Sequence, residues 1–220
     1  MSPRPFERPA TIALPESPGL PVGASLDGLW LPEHGEEGAR GAAVVAAPHP
    51  QMGGSMDSPV TTELALAASD LGFISLRFNW RGVGASAGTA SGELEDAEAD
   101  YRAALRFMED SVDGPILGCG YSWGAVTAAR VCLDSPQVQK LILVAPPPKM
   151  LDGSALAARG MPLLVIVGDQ DEYVPLAELR AVLDGIEASQ LVVLQGVDHF
   201  FMNGLAGISE ATKSWLDSRS

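Results

Sequence analysis

The chain has 220 residues, 28 of them acidic and 14 basic, for a formal net charge of −14. That length suggests one domain with a sizeable core, and 46% hydrophobic against 19% charged residues excludes disordered, collagenous and coiled-coil classes. Nucleic acid and anionic membrane surfaces are excluded as partners, because so acidic a chain without a Lys/Arg cluster is repelled by phosphate.

Residues 1–23 read as a Pro-rich N-terminal extension. The first 22 residues alternate prolines with charges and hold no continuous apolar stretch, so they fit neither a signal peptide nor a membrane anchor. Cys119 and Cys132 lie outside any C-x-x-C or Cys/His spacing and read as buried apolar residues of a reducing compartment. Together these features give a cytoplasmic expectation. Residues 24–31 can form an outer strand, and the Gly/Glu-rich residues 32–41 form a surface connection.

From residue 42 the pattern becomes short apolar runs, at 42–47, 73–78, 115–119, 141–145, 163–167 and 191–194, which suit parallel strands buried on both faces. Helices are expected between them. Ser58 and Pro59 offer an N-cap and an N1 proline for a helix over 61–71, with Gly72 as its stop. Residues 93–110 carry Leu94, Ala97, Tyr101, Ala104, Leu105 and Met108 on one face, with an acidic first turn that suits the helix dipole. Further helices are expected over 123–133, 176–183 and 205–216. Strand and helix alternate throughout, which predicts an α/β fold with a doubly wound, mostly parallel sheet and ligands at the carboxyl ends of the strands.

Residues 120–124 read Gly-Tyr-Ser-Trp-Gly, a G-x-S-x-G match between a predicted strand and a predicted helix. A serine at the tip of so sharp a turn needs small residues two positions to either side, because a Cβ at 120 or 124 would clash. The hydroxyl is a weak nucleophile without a base and an orienting acid. Of three histidines, His34 lies in the polar connection, whereas His49 and His199 follow the strands ending near 47 and 194. Carboxylates follow the 163–167 strand as Gly168-Asp169-Gln170-Asp171, and the chain order Ser122, Asp171, His199 is that of a nucleophile-elbow hydrolase.

On these residues the chain resembles the α/β-hydrolase superfamily from about Gly41 onward. His49-Pro50-Gln51-Met52-Gly53-Gly54-Ser55-Met56-Asp57 together with Leu76-Arg77-Phe78-Asn79-Trp80-Arg81-Gly82-Val83-Gly84-Ala85-Ser86 resembles small bacterial hydrolases of the dienelactone-hydrolase-like type, which have minimal or no cap. Two departures stand out: Ser122 replaces the cysteine nucleophile of dienelactone hydrolases proper, and Ala47 stands where the group often has another histidine. The resemblance implies Ser122 as nucleophile, His199 as general base and then acid, and Asp171 as the residue orienting the imidazole. Asp171 rather than Asp169 matches the family's G-x-x-D-x-x-V-P pattern; Asp169 and Asp198 then read as turn residues. Main-chain N–H groups of Trp123 and of Gln51 or Met52 would receive the oxyanion. The expected reaction is cleavage of an ester, thioester or lactone in a small-molecule acyl substrate, with neither cofactor nor metal.

Two other functions fit parts of the pattern. Gly82-Val83-Gly84-Ala85-Ser86-Ala87 matches a dinucleotide-binding G-x-G-x-x-A, which would make the protein an oxidoreductase, but residues 88–92 separate it from the next helix. A non-catalytic α/β-hydrolase-fold binding protein would keep the fold without the chemistry. Asn79 and Arg81 read as structural hydrogen-bonders, Trp80 and Trp123 as cleft walls or core, and residues 145–160 leave room for a small flap.

Overall fold

The computed structural model describes residues 6–34 and 38–218. Eight strands form one sheet in the order β1-β2-β4-β3-β5-β6-β7-β8. Its strands are β1 (Arg8–Ala13), β2 (Ser25–Leu31), β3 (Gly41–Ala46), β4 (Phe73–Phe78), β5 (Ile116–Tyr121), β6 (Val138–Val144), β7 (Leu163–Gly168) and β8 (Ser189–Leu194). β2 pairs antiparallel with both β1 and β4, and every pairing from β4 to β8 is parallel. The doubly wound, mostly parallel sheet is therefore present, and its central strands β3, β5 and β7 are buried at every residue, as their unbroken apolar runs require.

Helices α1 (Pro59–Asp70), α2 (Leu94–Ser111), α3 (Trp123–Val131), α4 (Gly153–Arg159), α5 (Leu176–Leu183) and α6 (Leu205–Asp217) fill the connections. The chain steps from β3 outward to β4, then back past β3 to β5, so right-handed crossovers place α1 and α2 on opposite faces. α6 packs against α1, and α3 against α2. The reversal of direction between β3 and β5 opens a crevice above their carboxyl ends, where open α/β sheets bind ligands. Among the described residues no helix is long and apolar enough to cross a membrane.

Several expectations need correction. Residues 8–13 of the N-terminal stretch are an edge strand, not an extension; Ala10, Ile12 and Leu14 alternate inward while Pro9 and Thr11 face out. An edge strand tolerates proline because one row of its N–H groups has no partner strand. Residues 1–5 of the extension and 35–37 of the Gly/Glu-rich connection lie outside the described residues. β8 is half-buried rather than enclosed, since it closes the sheet on the other side. Ser58 occupies the N-cap of α1 without a capping side-chain bond, and Pro59 supplies the helix start. The short helix α4 lies within the expected flap.

Gly82 to Ala87 forms a closed set of turns instead of opening a helix. The Gly82 amide donates to the Ala87 carbonyl, the Ser86 hydroxyl donates to the Asn79 carbonyl and accepts from the Asp27 amide, and α2 begins only at Leu94. A pyrophosphate would find no helix N-terminus there.

Candidate active site

The G-x-S-x-G segment folds as its spacing demands. Ser122 sits between β5 and α3 at φ 53° and ψ −112°, a left-handed backbone that a non-glycine residue adopts at a cost of about 1–3 kcal/mol. A Cβ at Gly120 would lie 2.2 Å from the Gly124 carbonyl oxygen, and one at Gly124 would lie 2.5 Å from the carbonyl oxygens of Ala46 and Ala47. Glycine at both positions lets the turn close against β3. The Ser122 amide donates to the Val144 carbonyl at 2.8 Å, which fixes the turn to β6.

Three strand ends bring the predicted residues together. Ser122 Oγ is 3.1 Å from His199 Nε2, and His199 Nδ1 is 2.7 Å from Asp171 Oδ2. The other Asp171 oxygen accepts the amides of Tyr173 and Val174, each at 2.9 Å, so the carboxylate is held from two sides with its side chain fully buried. Asp169 accepts the Gly196 amide and Asp198 accepts the Phe200 amide. Both are turn residues, and the first ties the loop after β7 to the end of β8.

Residues beyond those three complete the arrangement. The Tyr121 hydroxyl donates to the His199 carbonyl at 2.8 Å. Burial, together with the charges of Asp171 and Asp198, pushes the Tyr121 phenol well above its ordinary pKa, so it remains a donor. Its place as the variable residue of G-x-S-x-G gave no sign of a partner 78 residues further on. The Tyr173 ring packs beside the imidazole at 4.8 Å between centroids.

The loop after β3 differs in detail from expectation. The Gln51 amide donates to His49 Nδ1 at 3.2 Å, and the Met52 amide donates to the His49 carbonyl at 3.0 Å. Both expected oxyanion donors are thus engaged in a tight 3-10 turn. The amides of His49 and Trp123 have no protein acceptor among the described residues, and both residues line the cleft. Burial lowers the His49 pKa, which favours the neutral ring that the Gln51 amide needs as acceptor. The His49 ring lies 4.6 Å from that of Trp123.

Beneath this loop Trp80 is core rather than cleft wall: its indole N–H donates to the carbonyls of Ala47 and Pro48, while Trp123 does line the cleft. Asn79 and Arg81 are structural, as expected. Asn79 accepts the Met56 amide, and Arg81 binds Asp96 and the buried Asp100. His34 lies away from the cleft, 3.6 Å from Asp70. No cluster of three or more His, Cys, Asp or Glu able to hold a metal occurs among the described residues.

This geometry agrees with what the chain is similar to. Residues 42–159, over half the chain, match the family described as serine aminopeptidase, S33. The chain belongs to that family of α/β hydrolases. A solved α-β serine hydrolase homologue from Coxiella burnetii is 32% identical, with 95% of this chain and 97% of that one covered at a TM-score of 0.81. A Xanthomonas campestris serine hydrolase described as without a lid is 29% identical, covering 99% and 97% at a TM-score of 0.82. An uncharacterized protein of Rickettsia prowazekii is 28% identical over 79% of this chain and 77% of its own length. The protein is a hydrolase of this lid-poor kind. The family match stops before Asp171 and His199, but the two solved structures span nearly the whole chain.

Proposed function

We propose that the protein is a serine hydrolase that cleaves a carboxylic ester-type bond through an acyl-enzyme on Ser122. One observation carries this reading: the unbroken chain from Ser122 Oγ to His199 Nε2 at 3.1 Å and from His199 Nδ1 to Asp171 at 2.7 Å, opening on a cleft of about 600 Å³. In this mechanism His199 accepts the Ser122 proton as Oγ attacks the substrate carbonyl. Asp171 keeps the Nδ1–H tautomer and stabilises the imidazolium without taking the proton. His199 then protonates the leaving alcohol, and water, activated by the same imidazole, releases the acid.

The oxyanion donors we assign are the Trp123 and His49 amides, in place of Gln51 and Met52. Trp123 follows the nucleophile at the first position of α3, where a helix leaves its N–H groups unpaired. His49 is the cap of the 3-10 turn, and the bonds inside that turn leave its own amide free. Loss of one such donor costs about 2.7–4 kcal/mol of transition-state stabilisation.

A fluorophosphonate probe tests the reading. Wild type should take one equivalent, mapped to Ser122, and Ser122→Ala should take none while keeping the wild-type thermal midpoint. Unlabelled, folded wild type that also turns over no p-nitrophenyl ester would leave a non-catalytic binding fold.

A further inference from the structure

The described residues expose seven large apolar side chains, and their distribution is uneven. Phe6 and Val22 lie elsewhere; Met52, Met150, Tyr173, Phe200 and Met202 all line the cleft above Ser122, at 37–77% exposure. Soluble proteins scatter such residues singly, so a contiguous set around one opening marks a surface meant to be covered by a ligand. Three of the five are methionines, whose unbranched thioethers adapt to irregular apolar partners.

Among the described residues no lysine, arginine, aspartate or glutamate lines the cleft. Asp171, directly behind His199, is fully buried and its oxygens are taken by the imidazole and two amides. Glu172, the next residue, is exposed but does not line the cleft. Lys149 beside Met150 points a largely exposed amine toward Glu178, 3.9 Å away. A substrate carboxylate or phosphate would therefore leave water for a site with no cation to receive it, inside a molecule of net charge −14. A free α-ammonium fares no better, since no cleft carboxylate is available to pair with it.

We infer that the substrate is an uncharged ester whose acyl group is an apolar chain longer than acetyl, laid against the rim formed by Met52, Met150, Tyr173, Phe200 and Met202. This deepens, and rests on, the serine hydrolase reading. Burying one methylene is worth about a fourfold gain in binding. An open cleft covers each methylene only in part, so the four methylenes separating acetyl from hexanoyl should raise kcat/KM by at least about tenfold.

The experiment measures kcat/KM for p-nitrophenyl acetate, butyrate and hexanoate, and for the adipate half-ester, which matches hexanoate in length but ends in a carboxylate. Hexanoate should exceed acetate by about tenfold or more, and the half-ester should fall at least about tenfold below hexanoate. The neutral N-acetylcysteamine thioester of hexanoate should likewise outrun hexanoyl-CoA, which has the same scissile bond but carries phosphates. Met52→Ser combined with Met202→Ser should compress the hexanoate-to-acetate ratio, a readout that overall loss of folded protein does not move.

A flat or falling chain-length profile, an adipate half-ester as good as hexanoate, or leucine p-nitroanilide preferred over hexanoyl p-nitroanilide would overturn the inference. Fluorophosphonate labelling of Ser122 in the same samples separates the two levels. Labelling with a flat profile rejects the substrate class alone; absent labelling with absent turnover rejects the hydrolase reading and the substrate class with it.

Discussion

Among the described residues two carboxylates are buried, and the contrast between them separates what holds the fold from what the cleft can do. Asp100, on the buried face of α2, receives the Arg81 amide at 2.8 Å and its guanidinium at 2.8 and 3.0 Å. Asp171, after β7, receives two amides and the His199 ring. The two side chains are 1% and 0% exposed. Both are desolvated and both are satisfied, so burial alone does not distinguish them. The partner does. Arg81 is a guanidinium, a donor only, which links Asp100 to a second carboxylate, Asp96; His199 is an imidazole whose far nitrogen faces a hydroxyl on the cleft. Burial raises the Asp100 pKa even against the opposing pull of Arg81, the mark of a structural charge with a desolvation cost.

The contrast can be broken by exchanging one residue at a time. Asp171→Asn should lower kcat by about 10⁴-fold, because an amide favours the wrong imidazole tautomer, while the folded structure persists; steady-state kinetics with circular dichroism check both halves. Asp100→Ala should do the reverse, destabilising by about 1–3 kcal/mol because the buried Arg81 amide and Nε lose their acceptor while the guanidinium keeps Asp96. Its kcat at low temperature should stay close to wild type, and urea melts beside assays at 10 and 37 °C would show it. Equal losses of activity at both temperatures would contradict the division between the two networks.

Smaller effects sharpen it. Tyr121→Phe removes the donor to the His199 carbonyl and should lower kcat roughly tenfold, with a stability loss of about 1–3 kcal/mol from the unsatisfied oxygen. The smallest effect concerns His49, whose folded pKa lies below its unfolded value of 6.5. As pH falls through the unfolded value, the unfolded chain takes the proton first, so stability drops on that side until the folded ring also titrates. The thermal midpoint of wild type should accordingly fall further between pH 7 and 5 than that of His49→Gln.

Much of this was legible in the sequence for identifiable reasons. The central strands were visible because burial on both faces demands unbroken apolar runs, and Ser122 by its G-x-S-x-G turn after such a run; His49 and His199 both follow runs, as do Asp169 and Asp171, and chain order with the family's G-x-x-D-x-x-V-P pattern chose between them. What stayed hidden depends on turns and on partners far along the chain. β1 was masked by Pro9 and by the prolines that flank it in sequence, although Ala10, Ile12 and Leu14 carry the alternation of a one-sided strand. Whether the amide at 49, 51 or 52 faces the cleft is decided by a single 3-10 turn, which residue types do not specify. Asp100 lies on the same helical face as Ala97 and Ala104, which implies a buried partner, but nothing in the sequence named Arg81.

In the proposed mechanism an acyl group resides on Ser122 during turnover. Rapid mixing with p-nitrophenyl hexanoate, acid quenching on the millisecond scale and peptide mapping by mass spectrometry would test it most directly. A hexanoyl adduct on the peptide carrying Ser122, lost in Ser122→Ala together with turnover, is the predicted result. An adduct on another residue, or full turnover by Ser122→Ala, would contradict it.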